Sequence, residues 1–182
     1  TALAQAMYSD ALWPQLERSL SDAVEGDGAG LLQLYDDYFQ RKPDGSYGNE
    51  LEAFLAISCL DDPGPTSVEE VDAQIPVFTK AAKRFGASFA YGYSCALWPV
   101  AQAPRITITG KGAGPIIVIG TTGDPATPIE SSRKAARSLE GGLFLTVKAD
   151  QHTGYGLNTC VVETVDRYLI DLKAPADGKV CG

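Results

Sequence analysis

The sequence predicts an α/β fold, parallel strands with helices joined to a mostly helical part. Three observations carry this. Helical periodicity runs through the first 85 residues. A short, continuously apolar run, Pro115-Ile116-Ile117-Val118-Ile119-Gly120, then follows a glycine-rich turn. From there strand, helix, strand and helix alternate to the end of the chain, the order of a parallel α/β unit.

The helical elements come first. From Ala11 to Val24, Leu12, Trp13, Leu16, Leu20, Ala23 and Val24 recur at threes and fours, and Gly26-Asp27-Gly28 breaks the pattern. Leu31, Leu32, Leu34, Tyr35, Tyr38 and Phe39 define a second amphipathic helix, closed by the turn chemistry of Lys42-Pro43-Asp44-Gly45-Ser46. Asn49 is a suitable cap for a third helix through Leu51, Phe54, Leu55 and Ile57, which Pro63-Gly64-Pro65 ends. Thr66 or Ser67 caps a fourth, running to about Phe85, with Glu69 and Glu70 at its positive end. Residues 86–104, rich in Gly and aromatics, read mostly as loop, and Trp98-Pro99 and Ala103-Pro104 fix extended pieces.

The strands differ in pattern. The Pro115–Gly120 run lacks alternation, as in a strand covered on both faces. Pro128 to Leu139 is a helix with proline in its first turn, ended by Gly141-Gly142. Leu143 to Val147 is the second strand and Thr159 to Leu172 the last helix. Two strands do not make a stable doubly covered sheet, so the chain is expected to be one end of a larger one.

Composition narrows the function classes. The chain has 182 residues, a net charge of −8, 45% apolar residues and 21% charged ones, suited to a packed domain. An acidic chain with a pI near 4.6 is a poor partner for nucleic acid or anionic membrane surfaces, which need clustered Lys and Arg. No apolar run approaches the ~18 residues of a spanning helix, and Thr1 to Asp10 lacks the basic start and apolar stretch of a signal peptide. Residues 1–62 carry twelve acids against three bases, while the remainder is nearly neutral. A solvated helical face accounts for that asymmetry, as does a part with a separate task.

Cysteines stand at 59, 95, 160 and 181, with no CxxC pair and a single histidine, which disfavours zinc. Two disulfides and an exported protein are the better reading; four reduced core cysteines are the alternative. Of the three pairings, Cys59–Cys95 and Cys160–Cys181 each close a loop within one half of the chain. Each is worth roughly 3–4 kcal/mol in the chain-entropy model.

Active residues of open parallel sheets lie beyond the carboxyl ends of strands. Two loops qualify, Gly120 to Pro128, with Asp124, and Ala149 to Gly156, with the lone His152. Asp124 can accept Nδ1–H of His152 and leave Nε2 as a general base. Taken singly, His152 reads as a surface side chain and Asp124 as a helix-entry cap. Corresponding positions on successive strands weaken both readings.

These residues also carry a family resemblance. Gly120-x-x-Gly123-Asp124-Pro125-Ala126-Thr127-Pro128, then Gln151-His152-Thr153-Gly154, then Cys160 and Pro175-x-x-Gly178-x-x-Cys181, resemble the carboxyl-terminal part of the secreted tripeptidyl-aminopeptidase-like α/β-hydrolases. These are serine hydrolases of high-GC Gram-positive bacteria, in the proline-iminopeptidase clan. Ala56-Ile57-Ser58-Cys59-x-Asp61 and Cys95-x-x-Trp98-Pro99 are similar to the same family, and the resemblance spans about residues 5–181. It implies the distal part of an α/β-hydrolase fold plus a mostly helical lid: residues 1–104 as the helical lid region and 105–182 as the core segment. It also implies Asp124 as triad acid, His152 as triad base and Thr127 as a supporting hydroxyl.

In such enzymes the serine precedes the acid on a Gly-x-Ser-x-Gly elbow. None is present. Gly92-Tyr93-Ser94-Cys95-Ala96 ends in alanine, follows no buried strand and is stopped by Trp98-Pro99; Ser94 therefore reads as structural, and Ser58 as mid-helix. The implied activity is that of a secreted or envelope-associated serine peptidase of aminopeptidase type, acting on peptides with a free amino terminus. This chain then supplies the acid, the base and the lid, and a companion segment supplies the serine; alone, the chain is expected to be inactive. An esterase or lipase of the same fold and a non-catalytic partner-binding fragment are the alternatives. No cofactor or metal is implied.

Two further patterns have plainer readings. Gly110-Lys111-Gly112-Ala113-Gly114 precedes a strand rather than following one, so it reads as a turn and not a phosphate loop. Tyr8, Trp13, Tyr35, Tyr38 and Phe39, at helical spacing, read as core more readily than as a substrate groove.

Overall fold

The structure is a computed structural model describing residues 1–61, 64–90, 92–101 and 104–182. The expected breaks at Pro63 and Ala103 lie outside the described residues. The chain divides into two compact units, one joining residues 1–41 and 108–182, the other comprising 42–107. One division, between residues 107 and 108, falls close to the expected boundary near residue 104; the other lies between 41 and 42. The first 41 residues cluster with the strands, and the break falls at the turn where Lys42 N–H donates to Ser46 O, 2.8 Å.

In the first unit, α1 (Ala2–Met7), α2 (Trp13–Val24) and α3 (Ala29–Tyr38) pack together. Ala6, Leu16 and Leu34 are buried at their centre, with Met7, Leu12 and Leu31 around them. A 3-10 turn, Asp10–Leu12, leads into α2, and Pro14 sits in its first turn, where a missing N–H costs nothing. The helix expected from Ala11 thus begins at Trp13. α1 is too short for periodicity to reveal.

The sheet has three parallel strands in the order β1 (Ile116–Thr121), β2 (Gly142–Val147) and β3 (Lys179–Cys181). α8 (Ile129–Ser138) connects the first two and α9 (Thr159–Asp171) follows β2. The register pairs Ile116 with Gly142 and Thr121 with Val147, so β1 and β2 end level. Leu145, Val147, Val161 and Cys181 form the buried core, packed by Ile117, Ile119, Leu157 and Val165. The sequence shows two strands; β3 makes a third. It is only three residues long and pairs Cys181 with Val147. Cys181 is also bonded to Cys160, at a sequence separation of 21. The Gly110–Gly114 segment is a turn, with Ala113 N–H donating to Gly110 O at 3.0 Å.

The second unit contains α4 (Glu50–Asp61), α5 (Val68–Ala81) and two single-turn helices, α6 (Gly86–Phe89) and α7 (Tyr93–Ala96). Ser67 caps α5, its Oγ accepting from Glu70 N–H, and the Glu70 carboxylate reaches back to Thr66 N–H at 2.7 Å. This reciprocal arrangement satisfies donors that a helix start leaves open. α5 stops at Ala81, short of Phe85, and the stretch that reads mostly as loop carries the single-turn α6 and α7. Cys59 of α4 is bonded to Cys95 of α7, at a separation of 36, so each disulfide lies within one unit.

Candidate active site

The level ends of β1 and β2 release their loops side by side, and backbone hydrogen bonds tie the loops together. Thr122 N–H donates to Val147 O at 3.0 Å and Gly123 N–H to Ala149 O at 2.8 Å. Thr122 Oγ1 donates to Ala149 O and accepts from Ala149 N–H, both at 3.1 Å. Gly123 permits this approach, since a Cβ there would stand 2.3 Å from Asp150 Oδ1 and 2.9 Å from Asp150 Cα.

Asp124 and His152 meet across these loops. Nδ1 of His152 lies 3.0 Å from Oδ2 and 3.1 Å from Oδ1 of Asp124. The carboxylate side chain is 4% exposed and the imidazole 26%. Nε2 has no hydrogen-bond partner among the described residues. Asp124 is held by its own loop as well. Oδ1 accepts from Ala126 N–H at 2.9 Å and Thr127 N–H at 2.8 Å, while Thr127 Oγ1 donates to Oδ2 at 2.9 Å. Thr127 Oγ1 also comes within 3.5 Å of Nδ1. Asp124 thus organises the turn ahead of α8 and meets His152 with the same carboxylate, but it does not cap α8, whose N-cap is Pro128 with no side-chain cap bond.

Burial alone would raise the Asp124 carboxyl. Hydrogen bonds from Thr127 N–H, His152, the Thr127 hydroxyl and Ala126 N–H outweigh it and hold the group below its ordinary value. A carboxylate ionised at neutral pH can fix the Nδ1–H tautomer and balance an imidazolium as it forms.

The histidine loop owes its shape to two neighbours in sequence. Thr153 has φ 67, left-handed backbone that a β-branched residue rarely adopts. Gly154 lies against the sheet, where a Cβ would stand 2.8 Å from Ile119 Cγ2 and 2.9 Å from Val147 Cγ2. A third contact comes from far away in sequence. His152 N–H donates to Tyr8 O at 3.2 Å, and the two rings stand at 87° with centroids 5.1 Å apart. The spacing places Tyr8 in a core; the structure leaves it exposed at the histidine, as Trp13, Tyr35 and Tyr38 are exposed. Tyr8, Tyr38, Phe39 and Tyr35 form a chain of ring contacts leading away from the imidazole. Helical spacing identifies the face these rings share but not what covers it.

Ser94 sits in α7 beside the bridged Cys95, with Gly92 before the helix, and Ser58 sits within α4. Neither has the strand–turn–helix setting of a nucleophile elbow.

The chain is 34% identical over 186 residues to the serine protease Hip1 of Mycobacterium tuberculosis, covering 97% of this chain and 35% of that protein. It is 35% identical over 190 residues to carboxylesterase B of the same organism, covering 100% and 36%. With the tripeptidyl aminopeptidase of Streptomyces lividans it shares 26% over 181 residues, covering 97% and 34%. The chain thus spans about a third of the length of these relatives. Residues 81–181, more than half of it, match the family described as TAP-like protein. With parallel strands, helices and this family match together, the chain belongs to the TAP-like α/β-hydrolases and corresponds to their carboxyl-terminal part.

Proposed function

We propose that this chain supplies the acid and the base of a serine-hydrolase triad, in a complete protein that releases short peptides from an amino terminus. Asp124 is the acid, His152 the general base, and Thr127 braces the acid. The serine comes from a companion segment with a Gly-x-Ser-x-Gly elbow. The observation that carries this reading is the contact of His152 Nδ1 with both Asp124 oxygens, at 3.0 and 3.1 Å.

In the reaction, Nε2 takes the proton of the serine hydroxyl as Oγ bonds to the substrate carbonyl carbon. The imidazolium gives that proton to the leaving amine as the C–N bond breaks, leaving an acyl-enzyme. Water then attacks, losing a proton to Nε2, which returns it to the serine oxygen as the acid product departs. Asp124 remains ionised throughout.

The names of two relatives, a serine protease and a tripeptidyl aminopeptidase, support peptide substrates. The acidic balance of residues 1–62 supports a substrate ammonium group. The name carboxylesterase B favours a second reading, ester cleavage by the same triad. Residues 42–107, a separate helical unit, are assigned the role of lid. Two disulfides support an extracytoplasmic location, and no helix among the described residues is long and apolar enough to cross a membrane.

The test is turnover by the complete protein on free and amino-blocked tripeptide anilides and on a short-chain ester. Free peptides should be cleaved fastest. Asp124→Asn should lower kcat by a factor on the order of 10⁴ while the fold is kept, because the tautomer is lost. Retained turnover in Asp124→Asn and His152→Ala would remove the triad reading; preference for the ester would move the substrate class only.

A further inference from the structure

Asp124 constrains one nitrogen of the imidazole, but a ring gripped at Nδ1 can still swing about that contact. What limits the swing lies outside the two loops. Tyr8 directly follows α1, and Ala6 of that helix is wholly buried between α2 and α3. The position of Tyr8 is therefore set by helix packing rather than by the sheet. From there it meets His152 twice, its carbonyl accepting the His152 backbone N–H at 3.2 Å and its ring standing perpendicular to the imidazole at 5.1 Å. The ring is braced from behind by Tyr38, at a centroid distance of 6.1 Å.

We propose that Tyr8 is a positioning residue for His152: its carbonyl fixes the backbone from which the imidazole hangs, and its ring confines the imidazole so that Nε2 keeps its aim. This rests on the reading of His152 as general base. It assigns to α1 a part in the site that neither loop provides. Perpendicular aromatic pairs are favoured because the positive edge of one ring meets the negative face of another. The perpendicular contact with the imidazole is made by the ring, so phenylalanine retains it. The carbonyl bond is made by backbone and survives side-chain replacement, so a variant isolates the ring.

The experiment uses the complete protein and compares Tyr8→Phe, Tyr8→Ala and Tyr8→Leu, with Asp124→Asn and His152→Ala alongside. Tyr8→Phe should keep kcat within about twofold. Tyr8→Ala and Tyr8→Leu should lower kcat about three- to tenfold, the range such a contact is worth in rate, with KM nearly unchanged. Tyr8→Leu retains apolar bulk and guards against a folding defect, and thermal melts measure the folded fraction. Unchanged kcat in both ring-deleted variants would overturn the proposal, as would a loss explained by unfolded protein. A loss confined to KM would overturn it too, making Tyr8 a substrate contact, and so would equal damage from Tyr8→Phe. If Asp124→Asn and His152→Ala abolish turnover while Tyr8→Ala does not, only the role of Tyr8 fails. If they leave turnover intact, the triad reading itself fails.

Discussion

The two loops that meet at the candidate site are held in opposite ways. The acid loop is self-sufficient: Asp124 accepts two N–H groups and one hydroxyl from residues two and three positions further on. The histidine loop has no comparable internal net. His152 is fixed by Asp124 on another strand end and by Tyr8 on another helix, and its neighbours Thr153 and Gly154 bear backbone strain and tight packing. A short polar side chain can organise its own turn, because Asp reaches its own backbone. An imidazole cannot, so the fold must bring partners to it. The acid loop should therefore tolerate change at a distance, while the histidine loop should record it.

The largest effect that separates the loops is expected at Gly154. An alanine methyl there would fall within 3 Å of Ile119 and Val147, on β1 and β2, so strand or loop must give way. Overpacking of this kind costs about 1–3 kcal/mol. If the loop yields, His152 is displaced, and misplacement of a reacting group by about 1 Å can cost on the order of 10²-fold in rate. Gly154→Ala in the complete protein should thus lose both melting temperature and kcat. A variant that loses stability but keeps full kcat would mean that the sheet moves instead, and that the histidine loop is stiffer than its few internal contacts indicate.

This contrast also separates what could be read in the sequence from what could not. The strand ends bearing Asp124 and His152 were legible because a doubly covered strand is a continuous apolar run, and a single helix between two such runs makes them parallel neighbours. The local pairings of the cysteines were legible because each closes a loop within one half of the chain. β3 was not, since Lys179-Val180-Cys181 carries no pattern; its pairing with β2 and the bond from Cys181 to Cys160 fix it. Tyr8 was not legible either. Periodicity reports which residues share a face, and the partner of that face, here an imidazole at the far end of the chain, is decided by tertiary packing. The grouping of residues 1–41 with the strands has the same origin.

A smaller effect tests the self-sufficiency of the acid loop. Thr127 is exposed, so water can replace its hydroxyl when it is lost. Thr127→Val keeps the shape and the Thr127 N–H bond to Oδ1 and removes only the donor to Oδ2. The expected cost is about 1 kcal/mol in denaturant unfolding. Loss of kcat should stay well below that of Asp124→Asn, because the Nδ1 contact remains. A loss as large as that of Asp124→Asn would show that the acid depends on a single hydroxyl and that the contrast between the loops is false.

The smallest effect is the pH dependence of that same difference. Burial works to raise the Asp124 carboxyl, and the donors of its own loop together with His152 hold it below its ordinary value. A carboxyl with a lowered folded-state pKa contributes stability that is fully present above its unfolded pKa, about 3.9. That contribution is lost as pH falls through the folded value. Thr127→Val removes one lowering donor, so less of this stability is present at neutral pH and less remains to be lost in acid. The stability gap between wild type and Thr127→Val should therefore be widest near about pH 7 and narrow as pH falls below about 4. In Asp124→Asn, which has no carboxyl at this position, the same substitution should give a gap that does not follow pH over that range. Urea unfolding of the four proteins at several pH values reads both gaps. A gap that widens in acid would mean that the hydroxyl favours the protonated carboxyl, and that the acid loop does not hold Asp124 ionised by its own donors.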